Sequence, residues 1–174
     1  YLRSKYSEIV RAFEILRQPG PQDVQLIPLV EEPETLFQAG ALLQGYLDLC
    51  ARSPFKKFAV EYIRPFIARS DPALNSGLVP AVLAAKAALS GCTTFSEETG
   101  VPAFPILGAG GPAFRGGLTP ENASGFMREY SGVRTATVQS AFRADFPLAD
   151  AKAAVQALNE GLCRRAAVLD EGEK

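Results

Sequence analysis

Four short apolar segments alternate with helical patterns along the chain, and this alternation restricts the possible folds more than any other feature. The predicted strands span residues 25–30, 62–68, 103–107 and 134–139. Apolar residues at helical spacing predict helices over 2–17, from 33 to 50, over 78–89 and on toward 98, over 121–130 and over 148–165. Alternating strands and helices form parallel sheets with right-handed crossovers. The sequence therefore predicts an α/β fold with about four consecutive βα units, as in a barrel or a doubly wound sheet.

Two connecting segments carry turn signals instead of a periodic pattern. Residues 53–60 are basic and irregular, and residues 71–77 contain proline, asparagine and glycine, so both are predicted to be loops. The 174 residues are enough for one domain with a hydrophobic core. The first residue is Tyr1, not methionine, and a helical pattern is already running at residue 2. We therefore interpret 1–174 as a single partial domain, a fragment of a longer chain.

The composition excludes several classes of protein. A net charge of −1 argues against a nucleic-acid or membrane-surface partner. No uninterrupted apolar run approaches the roughly 18–20 residues of a membrane span, and no signal peptide is visible. The three cysteines, Cys50, Cys92 and Cys163, lie far apart without metal-binding spacing. We interpret them as buried thiols in a reducing compartment, which predicts a cytoplasmic protein.

A glycine-rich stretch follows the third predicted strand and surrounds a single arginine. Gly108, Gly110 and Gly111 precede Arg115, and two more glycines follow it directly. Glycine lets backbone N–H groups approach a ligand closely, and the guanidinium group is a fixed, forked positive charge. The stretch is therefore predicted to wrap an anion.

Two other interpretations of this stretch are weaker. Gly108-x-Gly110-x-x-Ala113 matches a dinucleotide-binding fingerprint, but that motif needs a helix that begins inside the glycine run. Here Pro112 interrupts the run, and helix-start signals come only at 119–120. A flexible surface loop is the other alternative, yet long glycine loops that leave a buried strand are usually functional.

Polar residues follow each predicted strand at its carboxyl end. They are Glu31 after the first strand, Arg69 and Asp71 after the second, Arg115 after the third, and Gln139 and Arg143 after the fourth. Taken singly, each has a structural explanation, such as a helix cap or a surface charge. Because the carboxyl ends of parallel strands meet at one edge, their coincidence predicts a functional site.

The residue types of this predicted site suggest its chemistry. Two carboxylates, Glu31 and Asp71, in a chain without histidine suit a hard cation such as Mg²⁺. The arginines suit a phosphate and a second carboxylate. Together they indicate a small phosphorylated carboxylate, handled by electrostatic stabilisation of an enolate or a phosphoryl group.

Four stretches give the chain a specific resemblance to a known family. They are LIPLVEEPETL (26–36), FIARSDPALNSGLVPAVLAAK (66–86), PILGAGGPAFRGGLTPEN (105–122) and TATVQSAFRADFP (135–147). In order and spacing they resemble phosphoenolpyruvate carboxylase, most closely its shorter archaeal type, and the resemblance covers nearly the whole chain.

The resemblance implies a (β/α)8 TIM-type barrel that converts phosphoenolpyruvate and bicarbonate to oxaloacetate and phosphate, through carboxyphosphate and an enolate. It implies Mg²⁺ or Mn²⁺ bound by Glu31 and Asp71. It also implies catalytic roles for Arg115 and Arg143, and substrate binding by Arg69, Gln139, Gly110 and Gly111. The full-length enzyme would be a cytoplasmic homo-oligomer, a tetramer by family resemblance.

The chain departs from the longer bacterial and plant enzymes at three positions. Leu107 and Ala109 stand where those enzymes carry a histidine and a further arginine, and Leu74 stands where they have a lysine. The archaeal type shares this reduced pattern, and Arg69 is expected to supply part of the missing charge. The family's essential histidine lies outside this chain, toward the N-terminus. The resemblance therefore implies that residues 1–174 alone are inactive.

Two alternative functions follow from the same residues. One is another Mg²⁺-dependent enolate-forming barrel enzyme, such as a citrate-lyase-like enzyme or a pyruvate-class aldolase. The other is a non-catalytic nucleotide-binding module. In a barrel, four βα units make about half of the ~250 residues that the complete fold needs. We therefore expect an open, curved sheet, and we expect the isolated fragment not to form a stable, soluble monomer.

Overall fold

The computed structural model describes residues 26–52 and 60–162. The four strands are β1 (Leu29–Val30), β2 (Phe66–Ile67), β3 (Ile106–Leu107) and β4 (Thr135–Ala136). The helices are α1 (Pro33–Phe37), α2 (Ala39–Arg52), α3 (Ser70–Ser76), α4 (Leu78–Thr99), α5 (Ala123–Glu129), α6 (Ser140–Ala144) and α7 (Leu148–Gly161), with a 3₁₀ turn at Ala113–Arg115. The predicted helix over 2–17, most of the irregular segment 53–60, Cys163 and the end of the last helix lie outside the described residues.

The strands form one parallel sheet in the order β1-β2-β3-β4. Leu29, Phe66, Ile106 and Thr135 lie in one row across the sheet, and Val30, Ile67, Leu107 and Ala136 lie in the next. The predicted α/β fold with about four consecutive βα units and parallel strands is confirmed. Four strands do not close a barrel, so the TIM-type barrel stays a prediction.

The two faces of the sheet differ in burial. Successive residues of a strand point to opposite faces, and Val30, Ile67 and Leu107 are fully buried in a core shared with the helices. On the other face, Leu29 is 54% exposed and the nearby Ile27 is 49% exposed. The helices therefore cover one face, and the opposite face is open at β1.

Two predictions of secondary structure, one of a loop and one of a helix, need correction. Residues 71–77 were expected to form a loop, but Ser70–Ser76 is helix α3, because Pro72 occupies its first turn, where proline is tolerated. Gly77, with φ of 91°, then separates α3 from α4. The helix predicted from Pro33 onward is two helices, since the chain breaks at Gln38, whose N–H donates to the carbonyl of Thr35.

Helix α4 is the long central helix of the covered face. It packs closely on α2, where a Cβ at Gly40 would lie 3.1 Å from the Gly91 carbonyl oxygen. Among the described residues it is the one helix long and apolar enough to cross a membrane by length and composition, and half of its apolar window is buried inside the protein. Burial against α1, α2 and α3, in a core shared with the strands, accounts for its hydropathy as that of a core helix.

The predicted burial of the cysteines is confirmed for one of them. Cys92 in α4 is 1% exposed, whereas Cys50 near the end of α2 is only partly buried. Burial raises the pKa of the Cys92 thiol to about 12. Cys92 is therefore a protonated core side chain at neutral pH.

Candidate active site

The structure brings the predicted site residues to the carboxyl edge of the sheet. Glu31 directly follows β1, and Asp71 lies in the first turn of α3, just after β2. Gly108 directly follows β3, and Gln139 comes three residues after β4. Because the strands are parallel and in register, these positions share one edge.

The glycine-rich loop at this edge is held by its own backbone. Gly110 N–H donates to the Arg115 carbonyl at 2.8 Å, and Leu118 N–H donates to the Gly110 carbonyl at 2.8 Å. Pro112 accepts bonds from the N–H groups of Arg115 and Gly117. The loop is therefore a closed, hydrogen-bonded structure, which argues against the alternative of a flexible surface loop.

Glycine is required at several positions of this loop. Gly116 and Gly117 have φ of 93° and 66°, a region that side-chain-bearing residues rarely adopt. A Cβ at Gly110 would overlap the side-chain amide of Gln139, and a Cβ at Gly108 would lie 2.8 Å from the Phe66 ring. The contact at Gly110 shows that the structure brings Gln139 against the loop, as the strand-end argument predicted.

Thr137, directly after β4, anchors the loop, and no sequence pattern predicted this role. Its hydroxyl oxygen accepts a hydrogen bond from Ala109 N–H at 2.8 Å, and its hydroxyl group donates to the Ala109 carbonyl at 2.9 Å. Ala109 is 3% exposed, so both of its backbone groups depend on this hydroxyl. The first turn of the loop is thus pinned to the neighbouring strand.

The two predicted catalytic arginines differ in environment. Arg115 is half-buried at the end of the 3₁₀ turn, and its guanidinium carbon lies 5.6 Å from the centroid of the Phe114 ring. Arg143 is exposed in α6, the short helix after β4. Both lie in segments that follow strand ends.

Arg69 is placed differently from the other predicted site residues. It is 1% exposed, and its Nε–H donates to the Tyr130 hydroxyl at 3.0 Å. Within residues 26–52 and 60–162, its Nη1 and Nη2 atoms have no hydrogen-bond partner. Substrate binding by Arg69 stays a prediction, although its burial favours an action through Tyr130.

Tyr130, at the end of α5, is itself 2% exposed. Burial raises the pKa of its phenol, and the charge of Arg69 opposes part of this rise. The Arg69 guanidinium carbon lies 5.6 Å from the centroid of the Tyr130 ring, so the two groups also interact through the ring face. The hydroxyl is therefore protonated at neutral pH and accepts a charge-assisted bond.

The residues available for a metal ion are two carboxylates. Glu31 is half-buried and Asp71 is exposed, and they follow adjacent strands. In the described part of the chain, no group of three or more His, Cys, Asp or Glu side chains comes together. Two carboxylates fit Mg²⁺ or Mn²⁺, which take one or two protein carboxylates and complete their shell with water and substrate oxygens.

The dinucleotide-binding alternative does not fit this geometry. Helix α5 begins at Ala123, well after the last glycine of the loop. The glycine fingerprint needs a helix N-terminus inside the glycine run to meet the pyrophosphate. The loop therefore lacks the feature that would make it a dinucleotide site.

The chain is similar in sequence to one known family of proteins. A family model described as phosphoenolpyruvate carboxylase matches residues 4–174. Proteins named phosphoenolpyruvate carboxylase also match. The one from Caldivirga maquilingensis is 38% identical over 165 residues, covering 95% of this chain and 31% of the relative.

Two further relatives with the same name show similar identity. The protein from Metallosphaera sedula is 41% identical over 154 residues, covering 88% of this chain and 29% of the relative. The protein from Pyrococcus abyssi is 42% identical over 136 residues, covering 78% of this chain and 27% of the relative. The chain thus spans somewhat under a third of the length of the curated relatives that it matches.

Proposed function

Because the chain belongs to the phosphoenolpyruvate carboxylase family, we propose that the full-length protein carboxylates phosphoenolpyruvate with bicarbonate to give oxaloacetate and phosphate. One observation in this chain carries the proposal. The glycine loop that carries Arg115 follows β3 at the carboxyl edge of the sheet. Glu31 and Asp71 follow β1 and β2 at the same edge. The loop suits an anion, and the carboxylates suit a hard cation, which together match an anionic substrate bound with a metal ion.

Glu31 and Asp71 are the proposed metal ligands. They follow β1 and β2, whose residues pair directly, and this adjacency supports a shared ion. When bound, Mg²⁺ or Mn²⁺ would supply positive charge beside the substrate oxygens. The chain's own contribution is to hold two carboxylates at a fixed edge of the sheet.

Arg115 and Arg143 are the proposed catalytic groups. In the proposed reaction the phosphoryl group passes from phosphoenolpyruvate to a bicarbonate oxygen, which gives carboxyphosphate and the enolate of pyruvate. Carboxyphosphate then releases CO₂ and phosphate, and the enolate carbon attacks the CO₂. Negative charge develops on the phosphoryl and enolate oxygens, where guanidinium groups held in place stabilise it.

The proposed substrate-binding groups are Gln139 and the backbone of Gly110 and Gly111. Gln139 contacts Gly110, so its amide lies against the backbone of the loop. Gly111 has open space around its Cα, since a Cβ there would meet only Thr119 at 3.9 Å. A ligand can therefore approach the backbone of the loop closely.

The proposed fold of the full-length domain is a (β/α)8 barrel. The sequential parallel order and the exposed Leu29 on the uncovered face support it. A cavity of about 400 Å³ between β4 and α7 also supports it, with Ala136, Val138 and Val155 among the lining residues. A further strand and helix beside β4 would cover these apolar groups.

Membership of the phosphoenolpyruvate carboxylase family also supports the proposal that the full-length protein is a cytoplasmic homo-oligomer, a tetramer.

The test is an assay of the full-length protein with phosphoenolpyruvate. Oxaloacetate formation, followed by coupling to malate dehydrogenase, should require both bicarbonate and Mg²⁺ or Mn²⁺. Addition of EDTA should stop the reaction, and excess Mg²⁺ should restore it. Cleavage or condensation that proceeds without bicarbonate would indicate another enolate-forming enzyme and would overturn the proposal.

A further inference from the structure

The residues next to Asp71 and Arg115 are joined by a buried contact that the proposed reaction does not use. Arg69 lies two residues before Asp71 and is fully enclosed, although its position after β2 would allow it to reach the edge of the sheet. Burying a charged side chain is costly unless it is hydrogen-bonded. Among the described residues its one side-chain hydrogen bond is to the Tyr130 hydroxyl.

Tyr130 connects this arginine to the glycine loop. Its ring stacks at an angle on Phe126, with the two centroids 5.1 Å apart. Both rings lie under Gly116, because a Cβ there would be 3.5 Å from Phe126 Cε2 and 3.8 Å from Tyr130 Cε2. Gly116 directly follows Arg115 and has a positive φ, so the two rings lie beside the backbone that carries the arginine.

The described contacts link the proposed metal ligand Asp71 to the segment that carries Arg115. Asp71 and Arg69 belong to the same turn after β2, and the Ala73 N–H donates to the Arg69 carbonyl at 3.3 Å. Helix α3 also packs against the 3₁₀ turn that contains Arg115. Two features thus set the separation of Asp71 and Arg115, namely the packing of α3 on the 3₁₀ turn and the buried Arg69–Tyr130 bond.

We propose that Arg69 is a positioning residue which, through Tyr130, fixes the Arg115 segment relative to Asp71. The expected changes in kcat and KM rest on the proposed function. The positioning of the Arg115 segment by Arg69 and Tyr130 does not depend on it. Arg69 acts without touching substrate, because its guanidinium group is enclosed. Its terminal nitrogens have no described hydrogen-bond partner, so loss of the Tyr130 hydroxyl removes the one described side-chain hydrogen bond of this charge.

The test uses the full-length protein and the variants Tyr130→Phe, Arg69→Met and the double variant. Tyr130→Phe keeps the ring and removes only the hydroxyl. We expect it to lower kcat/KM for phosphoenolpyruvate by about tenfold, mainly through a higher KM, with the Mg²⁺ half-saturation concentration little changed. Since Arg69 acts through Tyr130, the double variant should lose no more than about threefold beyond the worse single variant.

A matched control lies on the same helix. Glu129 forms an exposed ion pair with Lys86 at 3.2 Å, which also links α5 to α4. Glu129→Gln should leave kcat and KM unchanged, because an exposed ion pair contributes little. If Arg69→Met fails to fold, Arg69→Lys replaces it in the cycle, as it keeps the charge but cannot present Nε–H to Tyr130.

Each outcome decides the proposal. Losses in the two single variants that multiply in the double variant would show that Arg69 acts independently of Tyr130, as a substrate ligand would. A lower unfolding temperature with unchanged kcat and KM would show a purely structural contact.

If the wild-type protein lacks carboxylase activity, the proposed function fails separately. Amide hydrogen exchange of residues 108–118 still decides positioning, because it should accelerate in Tyr130→Phe, and unchanged exchange would overturn the proposal.

Discussion

Replacement of Thr137 with valine should loosen the glycine loop without changing the shape of the side chain. The hydroxyl bonds both backbone groups of Ala109, at 2.8 and 2.9 Å, and no other described bond serves them. Ala109 is 3% exposed, so water does not replace the hydroxyl in the folded state. Each buried polar group left without a partner costs about 1–3 kcal/mol, which gives about 2–4 kcal/mol for the pair after partial relaxation.

The local free energy of opening at Ala109 should fall by this amount. A factor of ten corresponds to about 1.4 kcal/mol, so exchange of the Ala109 amide should accelerate roughly 30- to 700-fold. The assay is hydrogen exchange with mass spectrometry on the full-length protein, using a peptide that spans 104–112. Peptides from α4 serve as an internal reference, because the substitution does not touch that helix.

Thr137→Ser is the matched control, because it keeps the hydroxyl and removes only a methyl group. Its exchange at 104–112 should stay within about threefold of wild type. If Thr137→Val also exchanged at the wild-type rate, the hydroxyl would not hold the loop, and the calculation from two buried hydrogen bonds would be refuted.

Three further predictions concern the site and the core. Asp71→Ala should abolish Mg²⁺-dependent turnover with little change in unfolding temperature, because the side chain is exposed; full turnover would contradict its proposed role. Arg115→Lys should lower kcat roughly 100-fold, since lysine cannot make two parallel bonds to a phosphate, and near-normal kcat would show that a point charge suffices. Burial raises the pKa of the Cys92 thiol from 9.0 to about 12, so the unfolded thiol ionises first as the pH rises. Stability should be pH-independent in this respect below pH 9 and fall above it, by about 1.4 kcal/mol at pH 10. Thermal unfolding at pH 8 and pH 10 should show this extra loss in wild type and not in Cys92→Ala.

The strands and the edge of the candidate site were predictable because each strand is a short apolar run ended by polar residues. The spacing of apolar residues could not reveal the break between α1 and α2 at Gln38. Leu36, Ala39 and Leu43 are three and four residues apart, as in one continuous helix. Similarly, Pro72 signals a turn in sequence but occupies a first helical turn in the structure. Such signals are ambiguous because proline is favourable in both settings.

The contacts that position the site depend on partners distant in sequence. Thr137 and Ala109 are separated by 28 positions, and Arg69 and Tyr130 by 61. Nothing in the local pattern of either pair identifies the other member. Arg69 follows β2 as predicted, but packing buries its side chain against Tyr130 instead of leaving it at the open edge. Packing between segments distant in sequence, and not local propensity, decided these placements.

The order of the strands bears on how the polypeptide acquires its structure during synthesis. Each strand pairs with the one made just before it, and paired residues such as Leu29 and Phe66 lie about 30–40 positions apart. Each of β2, β3 and β4 therefore meets a neighbour that was synthesised before it, and these three pairings need no segment from farther along the chain. Assembly can proceed in the direction of translation, and the contact order of this region stays low for a parallel sheet. Slowing translation just after β3 would extend the time in which the first three strands assemble before β4 arrives.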